Sequence, residues 1–136
     1  MSASNETPQI TGVLETALYV GDIDRAERFY GEVLGLRQVG KEPERHVFFR
    51  VGPGVLLLFR AASTRATASL PPHGADGPGH VCLTTAPGDY ERWKERLRGC
   101  GVVIEHETLW ERGRSFYFRD PDGNVLEVAN ADIWPR

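Results

Sequence analysis

The feature that most constrains this chain is an internal repeat. Phe49-Arg50-Val51-Gly52-Pro53-Gly54-Val55-Leu56-Leu57-Leu58-Phe59 lies over Phe118-Arg119-Asp120-Pro121-Asp122-Gly123-Asn124-Val125-Leu126-Glu127-Val128 without a gap, with Phe, Arg and Gly coinciding. Upstream, Glu15-Thr16-Ala17-Leu18-Tyr19-Val20 lies over His80-Val81-Cys82-Leu83-Thr84-Thr85. A chain that repeats itself once at this length folds as two similar units that complete one another. The repeat equates Glu15 with His80 and Leu58 with Glu127. Three of these four positions carry side chains that bind metals, a pattern better explained by one pocket than by three unrelated residues.

Within each unit the pattern reads βαβββ. Leu14–Val20 is a strand, and Asp22 caps a helix over about 23–33 whose Ala26, Phe29, Tyr30 and Val33 recur at helical spacing. Gly35 ends it. Strands follow at about 36–41, 46–51 and 55–60, with Pro53-Gly54 turning between the last two. The second unit has a strand at about 80–85 and a helix at about 90–99 with Tyr90, Trp93, Lys94 and Leu97 along one side. Strands at about 102–109, 115–119 and 125–130 complete it, Asp120-Pro121-Asp122-Gly123 being a strong turn. Residues 1–12 read as a loose tail, 13–60 as the first module, 61–78 as a linker loop and 79–136 as the second module, one domain over 13–130. The expected fold is α+β, with two βαβββ modules set edge to edge as one curved eight-stranded mixed sheet around a cup. Alternation along the strands groups Glu15 with Ala17 and Tyr19, His80 with Cys82 and Thr84, and Glu127 with Val125 and Ala129. If the repeat holds, Glu15, His80 and Glu127 point into one hollow.

Bulk composition narrows the partners. The 136 residues carry a net charge of −3 with acidic and basic residues interspersed. That gives no electrostatic footprint for nucleic acid and no polybasic membrane patch. Met1 to Pro8 is polar, and the longest apolar run, Val55 to Phe59, is too short to span a bilayer. Two cysteines make no disulfide framework; Cys82 reads as a small buried hydrophobe, and Cys100 follows the second helix. The expectation is a soluble cytoplasmic protein.

Taken together, Leu18-Tyr19-Val20-Gly21-Asp22-Ile23-Asp24-Arg25-Ala26, Phe29-Tyr30, Val33-Leu34-Gly35-Leu36, Gly79-His80-Val81 and Tyr117-Phe118-Arg119-Asp120-Pro121-Asp122-Gly123-Asn124-Val125-Leu126-Glu127 resemble the vicinal oxygen chelate superfamily. That superfamily holds glyoxalase I, the extradiol dioxygenases, the fosfomycin-resistance thiol transferases and the bleomycin-binding proteins. The resemblance implies a metal held by one residue on the first strand of each module and an acid on the last strand: Glu15, His80 and Glu127. The first position is usually His, so two carboxylates and one imidazole depart from the usual set and suit Mn, Fe, Ni, Co or Zn. Glyoxalase I uses a fourth protein ligand at the position the repeat gives to Leu58, and leucine cannot coordinate, which argues against that activity.

The resemblance further implies that Tyr117 faces the site as a catalytic residue, donating a hydrogen bond to a substrate oxygen, and that the chain forms a homodimer. In some branches the cup takes one module from each chain, so Glu15 of one subunit would join His80 and Glu127 of the other. His46, His73, Tyr19 and Trp110 are candidate substrate contacts; His73 reads equally as a solvated loop residue, and Trp110 equally as an interface residue. His106 is a weak acid–base candidate. The expected function is that of a metal-dependent glyoxalase/dioxygenase-superfamily enzyme, lyase-, isomerase- or transferase-like, whose small substrate chelates the metal through adjacent oxygens. The alternative is a metal-free, bleomycin-resistance-like binding protein with Trp110, Tyr19 and Phe48 as stacking surface.

Overall fold

The computed structural model describes residues 6–136. The first unit runs β1 (Glu15–Tyr19), α1 (Ile23–Arg28), β2 (Arg37–Glu42), β3 (His46–Val51) and β4 (Gly54–Phe59). After α2 (Ala61–Arg65), the second runs β5 (His80–Thr84), α3 (Tyr90–Gly99), β6 (His106–Leu109), β7 (Arg114–Arg119) and β8 (Val125–Ala129). Each is βαβββ, as the repeat requires. The strands form two four-stranded mixed sheets, ordered β1-β4-β3-β2 and β5-β8-β7-β6. The first strand of each unit runs parallel to the last, and the remaining pairs are antiparallel. The eight strands are thus divided between two sheets, a curved but unclosed surface.

Asp22 starts α1 by accepting from Arg25 N at 3.0 Å, satisfying a backbone donor that a helix start leaves orphaned. The helix then widens into a π-helical turn over Phe29–Val33, and Gly35, at φ +67°, turns the chain away. Alternation sends Val47, Phe49, Leu56 and Leu58 of the first sheet, and Phe116, Phe118 and Leu126 of the second, into one core beneath the helices. The opposite face of each sheet stays open.

Three expectations are corrected here. The linker contains the short helix α2, with Thr64 fully buried. The sixth strand begins at His106 rather than at residue 102; Val102 and Ile104 only pack against the core, while Val103 is exposed. Cys82 is exposed on the open face, because it alternates with the inward-leaning Val81 and Leu83.

The turn before β8 ties the halves together. Asp122 Oδ1 accepts from Gly21 N at 2.7 Å and from Arg25 Nη2 at 2.8 Å. Asp120 Oδ2 accepts from the buried Tyr30 hydroxyl at 2.7 Å. Asn124 donates to Tyr19 O at 2.9 Å and accepts from Gly79 N at 2.7 Å. Burial first, then the Asp120 carboxylate, push the Tyr30 hydroxyl far above the usual phenol range, so it remains a donor. Residues that the sequence offers as turn chemistry are therefore an inter-module clasp. Among the described residues, no helix is long and apolar enough to cross a membrane.

Candidate functional site

On the open face of the second sheet the register sets Cys82, Glu127, Tyr117 and His106 side by side across β5, β8, β7 and β6. His80 precedes Cys82 on the same face. Its Nε2 lies 3.3 Å from Glu127 Oε1, and its Nδ1 lies 2.9 Å from Val125 O. A carbonyl only accepts, so Nδ1 carries the proton and donates. In the neutral ring, Nε2 then presents a lone pair to a carboxylate oxygen, and two acceptors facing each other need a proton or a cation between them. Glu127 is only 5% exposed, and its Oε2 is buried without a hydrogen-bond partner. A proton on His80 Nε2 would serve Oε1 and still leave Oε2 unsatisfied, which is costly for a buried carboxylate. This donor set fits a divalent cation. His80 itself is half exposed and available from the open side.

Tyr117 stands between His80 and His106, its ring centroid 6.4 Å from the former and 5.7 Å from the latter. Trp110 reaches the same face, its Nε1 donating to Ser115 Oγ at 2.8 Å. Cys82 and His106 complete the row. The signal for both was present in the strand alternation, which places Cys82 on the face of His80. Desolvation first, then the Glu127 charge, push the Cys82 thiol up to about 12, so it is no thiolate nucleophile at neutral pH.

Glu15 stands on the open face of the first sheet and lines a hollow of about 570 Å³ with His46, Phe48, Phe59, Leu70 and His73. Tyr19 borders it, its hydroxyl hydrogen-bonded to His73 Nδ1. So four sequence candidates, Glu15, His46, His73 and Tyr19, gather on the first module, and His80, Glu127, Tyr117 and Trp110 gather on the second. Among the described residues, no three His, Cys, Asp or Glu side chains of the chain are grouped to hold a metal. The repeat makes the faces of Glu15 and His80 equivalent, yet each belongs to its own sheet.

The ungapped repeat also slips by one residue. Phe49 pairs with Leu56, and Phe118 pairs with Leu126, so Glu127 corresponds to Leu57 and not to Leu58. Leu58 is fully buried in the core, whereas Leu57 lines the hollow. The position still holds a leucine, so the first module offers no second acid there. The pairing of Glu15 with Val55 and of His80 with Val125 leaves the Glu15–His80 equivalence intact.

The family model described as Glyoxalase/Bleomycin resistance protein/Dioxygenase superfamily matches residues 12–128. The chain belongs to this superfamily. It is 32% identical over 114 residues to the glutathione transferase FosA of Serratia marcescens, covering 82% of this chain and 74% of that one. It is 30% identical over 115 residues to the putative ring-cleaving dioxygenase MhqE of Bacillus subtilis (strain 168), covering 77% of this chain but 37% of that one. Among solved structures, the lactoylglutathione lyase of Agrobacterium tumefaciens superposes with a TM-score of 0.88 at 36% identity, covering 95% of this chain and all of that one. These superfamily relatives bear the names of enzymes of three reaction types on one architecture.

Proposed function

We propose that this protein is a divalent-metal-dependent enzyme of the superfamily. His80 and Glu127 of one chain and Glu15 of a second copy would hold the cation, Mn, Fe, Ni, Co or Zn. The observation that carries the reading is the His80–Glu127 pair: an Nδ1 donor held by Val125 O, an Nε2 3.3 Å from a carboxylate oxygen, and a second carboxylate oxygen with no partner. That no third ligand stands beside this pair among the described residues supports a homodimer with one module from each copy around each site.

When bound, the metal would supply Lewis-acid stabilisation to a small substrate that chelates it through two adjacent oxygens. The chain's own residues do the rest. His80 is oriented by its Nδ1 bond, and Tyr117, across the strand from Glu127, donates to a substrate oxygen. Leu57, at the position equivalent to Glu127, contributes no fourth ligand and leaves coordination sites for substrate and water. This favours lyase, isomerase or transferase chemistry other than that of glyoxalase I itself.

Subunit mixing with metal analysis tests both parts. Glu15→Gln and His80→Asn, each alone, should retain less than about a tenth of the parent's bound metal. The purified E15Q/H80N heterodimer contains one site with all three ligands and should hold one metal per dimer. Absence of metal from the heterodimer refutes the shared site. Absence from the parent after dialysis against each of the five cations refutes the enzyme reading. Tight binding of a ring-bearing ligand in EDTA would then favour the metal-free binding protein.

A further inference from the structure

The hollow on the first sheet says what the rest of the substrate is. We infer that the part of the substrate remote from its chelating oxygens is a flat, uncharged ring received against the aromatic wall of His46, Phe48, Phe59 and His73. This rests on the proposed metal site for its location, since Glu15 lines the same hollow.

Four rings converge there. His46 stacks on Phe48 with centroids 4.0 Å apart and planes 9° from parallel. Phe59 stands nearly perpendicular to both, at 83° and 77°, and to His73 at 77° with centroids 4.8 Å apart. A ring laid against them meets both faces and edges, the two arrangements in which aromatic pairs attract. Leu57 and Leu70 add apolar wall, and the volume of about 570 Å³ lies within the roughly 300–1,000 Å³ common for small-molecule sites.

The charges disfavour an anionic tail. Among the described residues, Arg45 is the one Lys or Arg lining the hollow, and it is engaged: its guanidinium donates to Thr67 Oγ1 and lies 3.5 Å from both Ser63 O and Glu42 Oε2. Desolvation holds the His46 imidazole below its usual range, so that ring is neutral at neutral pH. Glu15 and Glu42 make the remaining formal charges negative. Among the described residues a phosphonate or carboxylate would find no unengaged cation here, whereas an uncharged ring needs none. His46 Nδ1 is also buried without a hydrogen-bond partner, one unsatisfied polar atom that a substituent on the ring would meet.

The probes are benzohydroxamate and acetohydroxamate, which share a chelating head and differ in the ring. Binding is measured by titration calorimetry on the parent with Zn(II) and in EDTA. We expect benzohydroxamate to bind the Zn-loaded protein at least about tenfold more tightly. That preference should fall below about threefold in Phe48→Ala and in Phe48→Leu, the latter keeping the apolar volume but not the flat face. Equal binding of the two probes overturns this inference and leaves the metal reading in place. So does a preference that neither Phe48 variant alters. If Zn(II) contributes nothing yet benzohydroxamate binds in EDTA and weakens in Phe48→Leu, the ring site stands independently of that metal. No binding of either probe overturns the ring site.

Discussion

Asn124→Ala should destabilise the whole domain by about 2–6 kcal/mol, because it opens the clasp between the modules. The side chain is 1% exposed and makes three bonds: to Tyr19 O at 2.9 Å, to Asp120 Oδ2 at 2.9 Å, and from Gly79 N at 2.7 Å. Asp120 Oδ2 keeps the Tyr30 hydroxyl when Asn124 is truncated. Gly79 N–H and Tyr19 C=O lose their Asn124 partner, and each stranded group costs about 1–3 kcal/mol. Against a total of roughly 5–15 kcal/mol for a domain, that loss is easily read by urea unfolding followed by circular dichroism. Asn124→Asp isolates the electrostatics. It preserves shape and the acceptor for Gly79 N, but sets two carboxylates about 2.9 Å apart in a buried site. Burial and like charge favour the protonated form of that new carboxyl in the folded state. The folded state then binds more protons than the unfolded one, so stability falls as pH rises above the ordinary carboxylate range. N124D should therefore be closer to the parent at acidic pH than at neutral pH. A midpoint shift for N124A equivalent to less than about 0.5 kcal/mol, or an N124D deficit independent of pH, refutes the clasp.

Three further outcomes follow from other contacts. Gly79→Ala should cost about 1–3 kcal/mol in the same urea assay, because an added Cβ meets the Leu18 side chain at 2.8 Å in the core. Glu107 accepts from the Tyr90 hydroxyl and from Lys94, and these, Tyr90 first, hold its carboxyl below the usual range. A lowered folded-state value gives stability that is present above the ordinary carboxylate range and lost as pH falls through the lowered value. Glu107→Gln should flatten the acid limb of a stability–pH profile, and an unchanged limb contradicts it. Lys94→Met should leave Glu107 its Tyr90 bond yet still cost about 1–3 kcal/mol in urea midpoint, since the Lys94 side chain is nearly buried and bridges α3 to β6.

What the sequence made legible follows from what depends on local pattern alone. Asp22 as cap, Gly35 as helix end and the alternation of β3 and β4 each rest on neighbouring residues, and each is found. The strand expected from residue 102 fails because β-branched Val102 and Val103 propose a ladder that no partner strand completes: β7 pairs with β6 only from His106. Cys82 fails for a related reason. Its neighbours suggested burial, whereas strand parity, also visible in the sequence, placed it beside His80. The placement of Glu15 on one sheet and of His80 and Glu127 on the other is of another kind. Periodicity fixes which face a residue occupies, and the packing of one sheet against another, or of one chain against another, is not encoded at that range.

The one-residue slip in the repeat carries the most structural meaning. β3 and β4 are joined across Val51–Gly54, with Arg50 opposite Val55. β7 and β8 are joined across Asp120–Asn124, with Arg119 opposite Val125. The second connection is one residue longer, and sheet pairing tolerates this only because inward residues still face inward: Phe118 meets Leu126 as Phe49 meets Leu56. Without the extra residue Glu127 would take the position of Leu58, which is sealed in the core. A shift of one residue turns every side chain to the other face, so the longer connection is what puts a carboxylate on the open face beside His80. The same connection supplies Asp120, Asp122 and Asn124 to the clasp. A single local change in chain length thus accounts both for the acid of the candidate site and for the bond between the halves. Variants that loosen the clasp should accordingly weaken metal uptake at His80 and Glu127 even though none of the clasp residues is a proposed ligand.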